Sequence, residues 1–205
     1  GVVVVAFSCE GVKVLPDCKV EGKYGYLAVT PKTEDNLIEG KDNIQASFGG
    51  VGFGASAKLD RQAKLDMSYV LVGKRSTPRR SVTKADVADG DYCKGATHFV
   101  KRADVGAWTM VTGKAVSAGV AAKVMNQGAE ANSASKELRT KKDGDPKSCK
   151  GATRQDAAAP SGCGALIRVS LTPIKAGGAA KVAGLAKTGL DDGEGCPTGF
   201  VSVKG

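Results

Sequence analysis

Apolar and polar residues alternate from Val51 to Leu71, which is the longest regular pattern in the chain. A period of two is typical of a β-strand, because successive side chains point to opposite faces. Residues 44–72 are therefore predicted to form one long strand, or a hairpin that turns at residues 60–62 and keeps one apolar face. The other face carries small and charged residues, so the sheet is expected to separate an apolar region from a wet one.

Shorter patterns predict further strands and a few helices. The strands are predicted over Val2–Phe7, Gly11–Leu15, Tyr24–Val29, Phe99–Thr112 and Ala165–Leu171. One short helix is predicted after an N-cap at Thr33, and a second near Thr83 and Asp86. Residues 114–138 are ambiguous, since valines recur every four residues among many glycines, asparagines and serines. Strands or a mobile hairpin are favoured there over a helix.

These patterns predict an α+β, β-rich fold, built as an antiparallel sheet or sandwich with long strands or hairpins and two short helices. Residues 1–174 are assigned to a single β-rich domain, which is long enough to bury a core. Residues 175–205 are rich in alanine, glycine and lysine and are assigned to a linker and C-terminal tail.

The chain contains six cysteines, none in Cys-x-x-Cys spacing, and one histidine, so disulfides are favoured over a zinc site. Disulfides predict an oxidising compartment: the periplasm, outer membrane, cell surface or exterior. Sequence alone does not select among the 15 possible pairings. Loop logic favours Cys9–Cys18 and Cys149–Cys163, which leaves Cys93–Cys196. Alternatively, Cys196 pairs with a cysteine beyond Gly205.

The net charge of +9 indicates an affinity for anionic partners, and a dense group of cations lies between the predicted strands. These candidate contacts for anionic ligands are Lys74, Arg75, Arg79, Arg80 and Lys84. The stretch is either a solvated loop or a contact for lipid headgroups, acidic glycans or nucleic acid. Aromatic residues are not interleaved with the charges, which makes single-stranded nucleic acid an unfavoured partner.

No motif predicts catalysis, a metal or a cofactor. His98 is the only histidine and enters a strand with no nucleophile elbow nearby, so a structural role is favoured. The acidic residues Asp143 and Asp145, and those of 191–194, do not follow the EF-hand pattern and are interpreted as polar turns. The chain is therefore predicted not to be an enzyme, and no small-molecule substrate is identified.

The alternating segment supports three alternatives: a sheet packed on a core, a hairpin that each subunit contributes to an oligomeric membrane barrel, or a subunit of a long helical ring or filament. The candidate assembly or membrane residues are Val51, Phe53, Leu59, Leu65, Met67, Tyr69 and Leu71. The first functional hypothesis is an exported structural or assembly protein of the cell envelope that self-associates through strands as a homo-oligomer, as a ring or barrel. The second is a module that binds anionic polymers through residues 74–84.

Four segments resemble an uncharacterised family of cell-envelope lipoproteins from delta-class proteobacteria. They are Cys9–Cys18, Gly95–Val100 followed by Val105-Gly-Ala, Asp143–Cys149 and Cys196–Val201. The resemblance implies export, lipidation upstream of Gly1 and a non-catalytic role, and it supplies no catalytic residues. Because the chain begins with glycine rather than methionine, a removed leader or an incomplete N-terminus is also expected.

Overall fold

A computed structural model describes residues 1–8, 11–40, 64–87, 90–127 and 138–176. The described strands are β1 (Val2–Ser8), β2 (Gly11–Val20), β3 (Gly25–Glu39), β4 (Lys64–Ser76), β5 (His98–Gly113), β6 (Arg139–Asp143) and β7 (Ala165–Pro173). They form one seven-stranded sheet in the order β2-β1-β5-β4-β3, with β6 and β7 also paired to β5. All of these pairs are antiparallel, which confirms the predicted β-rich fold.

The described helices are short. Two α-helices, α1 (Val120–Gln127) and α2 (Pro146–Cys149), contact β4 and β5. Two 3₁₀ helices, Lys84–Asp86 and Asp91–Cys93, lie between β4 and β5 in the chain. The first lies at the position of the short helix predicted near Thr83 and Asp86, and there Asp86 Oδ2 accepts hydrogen bonds of 2.8 Å from the Thr83 amide and hydroxyl.

Two local predictions are wrong, and both fail because pairing or packing outweighs local propensity. The helix predicted from Thr33 is part of β3, which pairs residue by residue with β4 from Lys32 to Glu39. Residues 120–127 form α1 rather than a strand or hairpin. Val124 and Ala121 of this helix pack with Val111 of β5, so burial of one helical face stabilises a segment of modest propensity.

Strand β4 confirms an extended backbone over the second half of the alternation, whereas residues 44–63 lie outside the described residues. The expectation that its polar face is wet is wrong. Asp66 and Ser68 are only 1% and 0% exposed. Asp66 Oδ2 accepts a 2.7 Å hydrogen bond from the Ala121 amide at the start of α1. The helix therefore covers this face, and the buried carboxylate satisfies an amide that has no partner within the helix.

The prediction of an exposed assembly or membrane face is also wrong for its described members. Leu65, Met67, Tyr69 and Leu71 are at most 9% exposed. They pack together in a core cluster with side chains from β5, β7 and β3, which are Met110, Trp108, Ile167, Val29 and Ile38. Val51, Phe53 and Leu59 lie outside the described residues. The alternation in β4 therefore separates two buried layers, and its apolar side chains contribute to the protein's own core.

Two disulfides join the described parts of the chain. Cys149–Cys163 is present as predicted, with a Cα–Cα distance of 5.2 Å. Cys18 is bonded to Cys93 at a Cα–Cα distance of 4.9 Å, so the predicted pairs of these two cysteines with Cys9 and Cys196 are wrong. Loop length alone favoured a local partner for Cys18, but the sheet brings β2 against the second 3₁₀ helix. Cys9 and Cys196 lie outside the described residues.

At the predicted domain boundary, residue 174, the chain is still bonded to the segment that follows β4. Lys175 forms a β-bridge with Thr83, and its amide donates a 2.8 Å hydrogen bond to the Val82 carbonyl. Residues 177–205, most of the predicted linker and tail, lie outside the described residues. Among the described helices, none combines the length and apolar character required to cross a bilayer.

Candidate functional site

A row of side chains crosses four neighbouring strands on one face of the sheet. Leu27 of β3 lies opposite Lys74 of β4. Asp104 of β5 lies opposite Lys74 on one side and opposite Arg168 of β7 on the other. Directly opposed residues of antiparallel strands point to the same face, so these four side chains are neighbours.

A β-bulge decides which face carries this row. The register of β4 against β5 shifts between Leu71 and Gly73. One extra residue reverses the alternation beyond it, so Lys74 shares a face with Leu71 despite their odd spacing in sequence. The charged row therefore continues the face of the apolar core cluster towards the end of β4.

Asp104 organises two arginines. Its side chain is 1% exposed, Arg168 Nε donates a hydrogen bond to Oδ2, and Arg102 Nε lies 3.5 Å from Oδ1. The hydrogen bond with Asp104 is the main reason that the pKa of Arg168 is raised. Cations beside a buried carboxylate compensate the cost of its burial, and Asp104 has a hydrogen bond with one guanidinium group and an ion pair with the other. The two arginine side chains are 37% and 40% exposed.

Lys74 adds an uncompensated positive charge beside them. It is half-buried, and its ammonium group makes no ion pair or hydrogen bond with another described residue. We call Lys74, Arg102 and Arg168, arranged around Asp104, the cation cluster. The cluster contains three cations and one carboxylate. The neighbouring ion pair between Lys32 and Glu34 has no net charge. The cluster thus has a surplus of positive charge, which attracts anions.

A tyrosine–glutamate hydrogen bond borders the cation cluster on the β3 side. The Tyr69 hydroxyl donates to Glu34 Oε2, and Lys32 Nζ lies 2.6 Å from Oε1. The contact with Lys32 first, and that with Tyr69 second, lowers the pKa of Glu34. Burial and the Glu34 carboxylate raise the pKa of Tyr69 to about 12, although the positive charge of Arg168 opposes this. The glutamate therefore belongs to the electrostatic neighbourhood of the cluster.

The raised pKa of Tyr69 predicts a loss of stability in alkali. An unfolded tyrosine releases its proton near pH 10, whereas the folded protein retains this one up to about pH 12. In that window the folded state binds more protons, so the free energy of unfolding falls as pH rises. We expect urea denaturation midpoints to fall more steeply between these pH values in the wild type than in Tyr69→Phe.

Tyr92, which is 72% exposed, provides the matched control for the Tyr69→Phe substitution. Tyr92→Phe should retain the steep decline of the wild type, and the tyrosinate absorbance of Tyr69→Phe should report one late-titrating phenol fewer than that of the wild type. Parallel stability curves for the wild type and Tyr69→Phe would contradict the assignment.

The basic stretch proposed from the sequence does not form one surface. Lys74 and Arg75 are consecutive in β4 and so point to opposite faces. Arg75 instead lies near Tyr26, where its positive charge lowers the pKa of the hydroxyl and the Asp156 carboxylate raises it. Arg80 is exposed, and Lys84 lies on the first 3₁₀ helix. Only Lys74 of this group joins the cation cluster.

Arg79 has a structural role. Its Nη1 donates a 2.8 Å hydrogen bond to the Glu21 carbonyl, and its Nη2 pairs with Asp86. Lys101 reinforces the same loop, since its Nζ donates 2.6 Å hydrogen bonds to the Thr77 and Arg79 carbonyls. Reversing the charge of Arg79 would therefore disturb the loop as well as any ligand contact.

The other residues singled out from the sequence have local roles. His98 lies edge-on to Phe7 at 5.2 Å, with Nδ1 2.9 Å from the Thr97 hydroxyl. Asp145 caps α2 by accepting a 3.0 Å hydrogen bond from the Lys147 amide. Asp143 accepts one of 2.8 Å from the adjacent Gly144 amide. In the described ranges no three acidic, histidine or cysteine side chains gather as a metal site. Residues 191–194 lie outside them.

Sequence reasoning missed Arg102, Asp104 and Arg168. Their signal is the presence of charged residues inside otherwise apolar strands, in the segments Lys101–Val105 and Ile167–Val169. A charge in a buried strand requires a partner. That signal identifies the residues, but only the register of β5 against β7 identifies the partners.

Comparison with protein-family models and with curated proteins gave no match for this chain. The resemblance to cell-envelope lipoproteins and the absence of enzymatic activity therefore remain predictions. The two disulfides indicate an oxidising environment.

Proposed function

We propose that this protein is an exported binding module that holds anionic polymers of the cell envelope on the cation cluster. The observation that carries the proposal is the Lys74 ammonium, which has no described partner and lies beside two arginines fixed by a buried carboxylate. The matching ligands are the phosphate or carboxylate groups of lipid headgroups or acidic glycans. The periplasm, the outer membrane or the cell surface would supply both ligands and the oxidising conditions.

The geometry favours a polymer or a lipid surface over a single small anion. The row of side chains has charged members on three strands and ends on the fourth at Leu27, which is 64% exposed. A ligand that repeats its charge can contact lysine and arginines together, while the leucine adds apolar contact. Arginine guanidinium groups suit phosphate and carboxylate because their planar forks match the two oxygens.

The test compares Lys74→Gln/Arg102→Gln with Lys123→Gln/Lys150→Gln, which removes two exposed lysines from outside the cation cluster. Binding to phosphatidylglycerol vesicles and retention on heparin are measured at several salt concentrations. Each cation near an anionic surface contributes about 1 kcal/mol, so the first variant should bind roughly 30-fold more weakly. The control should lose much less, and wild-type binding should weaken as salt rises.

The two binding assays distinguish the lipid headgroup from the acidic glycan. Loss on vesicles alone identifies the lipid headgroup, and loss on heparin alone identifies the glycan. Equal losses in the two variants on both ligands would show that net charge, rather than the cation cluster, determines binding, and would overturn the proposal. Arg79 is left intact because of its structural contacts.

Self-association through extended strands is the second candidate. Among the described strands, β3 ends the order of the sheet and pairs only with β4. The edge of β3 that faces away from β4 has no partner among the described strands and offers a template for a second copy, as in other edge-to-edge assemblies. Pro31 and the charged Lys32 and Asp35 interrupt that edge, which is how proteins discourage such pairing. Sedimentation velocity over a range of concentrations would reveal an oligomer of this kind.

A further inference from the structure

A cavity of about 390 Å³ lies between the two 3₁₀ helices and the chain that follows β7. It is lined by Lys84, Val87, Gly90, Asp91, Cys93, Lys94, Gly95, Ala96 and Ile174. This volume falls within the range of small-molecule sites. No residue of the cation cluster lines it, so the cavity is a separate feature of the molecule.

One wall of the cavity is held by backbone hydrogen bonds. The Lys84 amide donates to the Lys175 carbonyl at 2.9 Å, and the Ile174 amide donates to the Thr97 carbonyl at 2.8 Å. These bonds fasten the first 3₁₀ helix and Ile174 to the end of the sheet. This side of the cavity is therefore formed before any ligand binds.

The opposite wall is held by a covalent bond. The Cys18–Cys93 disulfide joins the second 3₁₀ helix to β2, and Cys18 itself is 1% exposed. The Cys93 amide donates a 3.0 Å hydrogen bond to the Gly90 carbonyl, and the Ala96 amide donates one of 3.0 Å to the Cys93 carbonyl. A preformed cavity lowers the entropic cost of binding.

The lining combines an apolar surface with two cations. Val87, Ala96 and Ile174 are partly buried and pack against the neighbouring core cluster. Lys84 and Lys94 are exposed, and neither side chain makes an ion pair or hydrogen bond with another described residue. Asp91 supplies one carboxylate, so the lining has a net positive charge.

The geometry points to a small amphiphile as the ligand, with a short apolar chain and a single anionic head. The apolar residues would receive the chain, while Lys84 and Lys94 would pair with a carboxylate or phosphate head. This inference goes beyond the proposed function and does not depend on it, because the two sites share no residue.

The test uses the full chain and the fluorescent anionic amphiphile anilinonaphthalene sulfonate. Decanoate, decyl phosphate and decyltrimethylammonium are the competitors. Decanoate or decyl phosphate should displace the probe, and the cationic competitor should not. Displacement by only one anion identifies the head as carboxylate or phosphate. Failure of both anions, or equal displacement by the cation, would overturn the inference.

Two variants locate the binding. Lys84→Gln/Lys94→Gln should weaken it at least about tenfold through loss of two charge-assisted contacts, whereas Lys123→Gln/Lys150→Gln should not. Gly90→Trp should block the cavity, since a Cβ at this lining position meets nothing within 4 Å and the backbone is extended. Unchanged binding in Gly90→Trp, or equal loss in both lysine pairs, would contradict the site.

Discussion

Gly106→Ala is expected to destabilise the protein more than the same change at Gly25 or Gly73 in the neighbouring strands. Gly106 lies in β5 between its partners Leu71 of β4 and Ala165 of β7. A Cβ on Gly106 would overlap the Val70 carbonyl oxygen and lie 2.9 Å from its carbonyl carbon. This obstacle is the backbone of a paired strand, which cannot rotate away. The β4–β5 ladder must shift, at a cost of about 4 kcal/mol or more.

Two other glycines give a graded comparison. The three atoms nearest to a Cβ on Gly73 all belong to the Tyr26 side chain, which can move, and a Cβ on Gly151 meets nothing within 4 Å. Urea denaturation should therefore show the smallest loss for Gly151→Ala, more for Gly73→Ala and most for Gly106→Ala. An unfolding free energy for Gly106→Ala as high as that for Gly151→Ala would show that the two central strands are not packed as described.

Removal of the Cys18–Cys93 disulfide is also expected to lower the free energy of unfolding strongly. Its cysteines are 75 residues apart, whereas Cys149 and Cys163 are 14 apart. A cross-link that closes a longer loop removes more entropy from the unfolded chain. We expect the double serine variant of Cys18–Cys93 to lose roughly 4 kcal/mol of stability, and that of Cys149–Cys163 to lose roughly 3 kcal/mol.

The longer cross-link also supports tertiary contacts. Cys18 lies in a core cluster with Val2, Leu15 and Phe99, so its bond ties the β1–β2 hairpin to the chain that precedes β5. Denaturation of the two variants measures the ranking, and peptide mass mapping of the oxidised protein measures the pairing. A peptide that joins Cys9 to Cys18, or a larger loss for the shorter loop, would contradict the structure.

Two segments show that tertiary packing can outweigh the local sequence pattern. Thr33 followed by acidic residues has the composition of a helix start, yet this stretch pairs with β4 because the long strand offers a continuous ladder of hydrogen bonds. Residues 120–127 have mixed helical propensity, yet Asp66 of β4 accepts a hydrogen bond from the Ala121 amide and the core buries one helical face. Neither partner is a neighbour in sequence.

The candidate site was only partly predictable for the same reason. The charge of Lys74 was evident from the sequence, but the linear basic stretch is divided among different surfaces because neighbouring strand residues point in opposite directions. The bulge before Gly73 and the register of two strand pairs, β4–β5 and β5–β7, bring Lys74 near Arg102 and Arg168. Residues of β4, β5 and β7 meet there from distant parts of the sequence.

By itself, the sequence determined that the protein is β-rich, that it contains disulfides and where most of its strands lie. These properties depend on residue type and on a period of two, which are local. Tertiary structure alone decided that both faces of β4 are buried, that Cys18 bonds to Cys93 and that Asp104 gathers two arginines. Each of these outcomes depends on strand register and on the packing of distant segments. The stabilising contacts join residues that are far apart in the sequence, so the local pattern of residue types does not specify them.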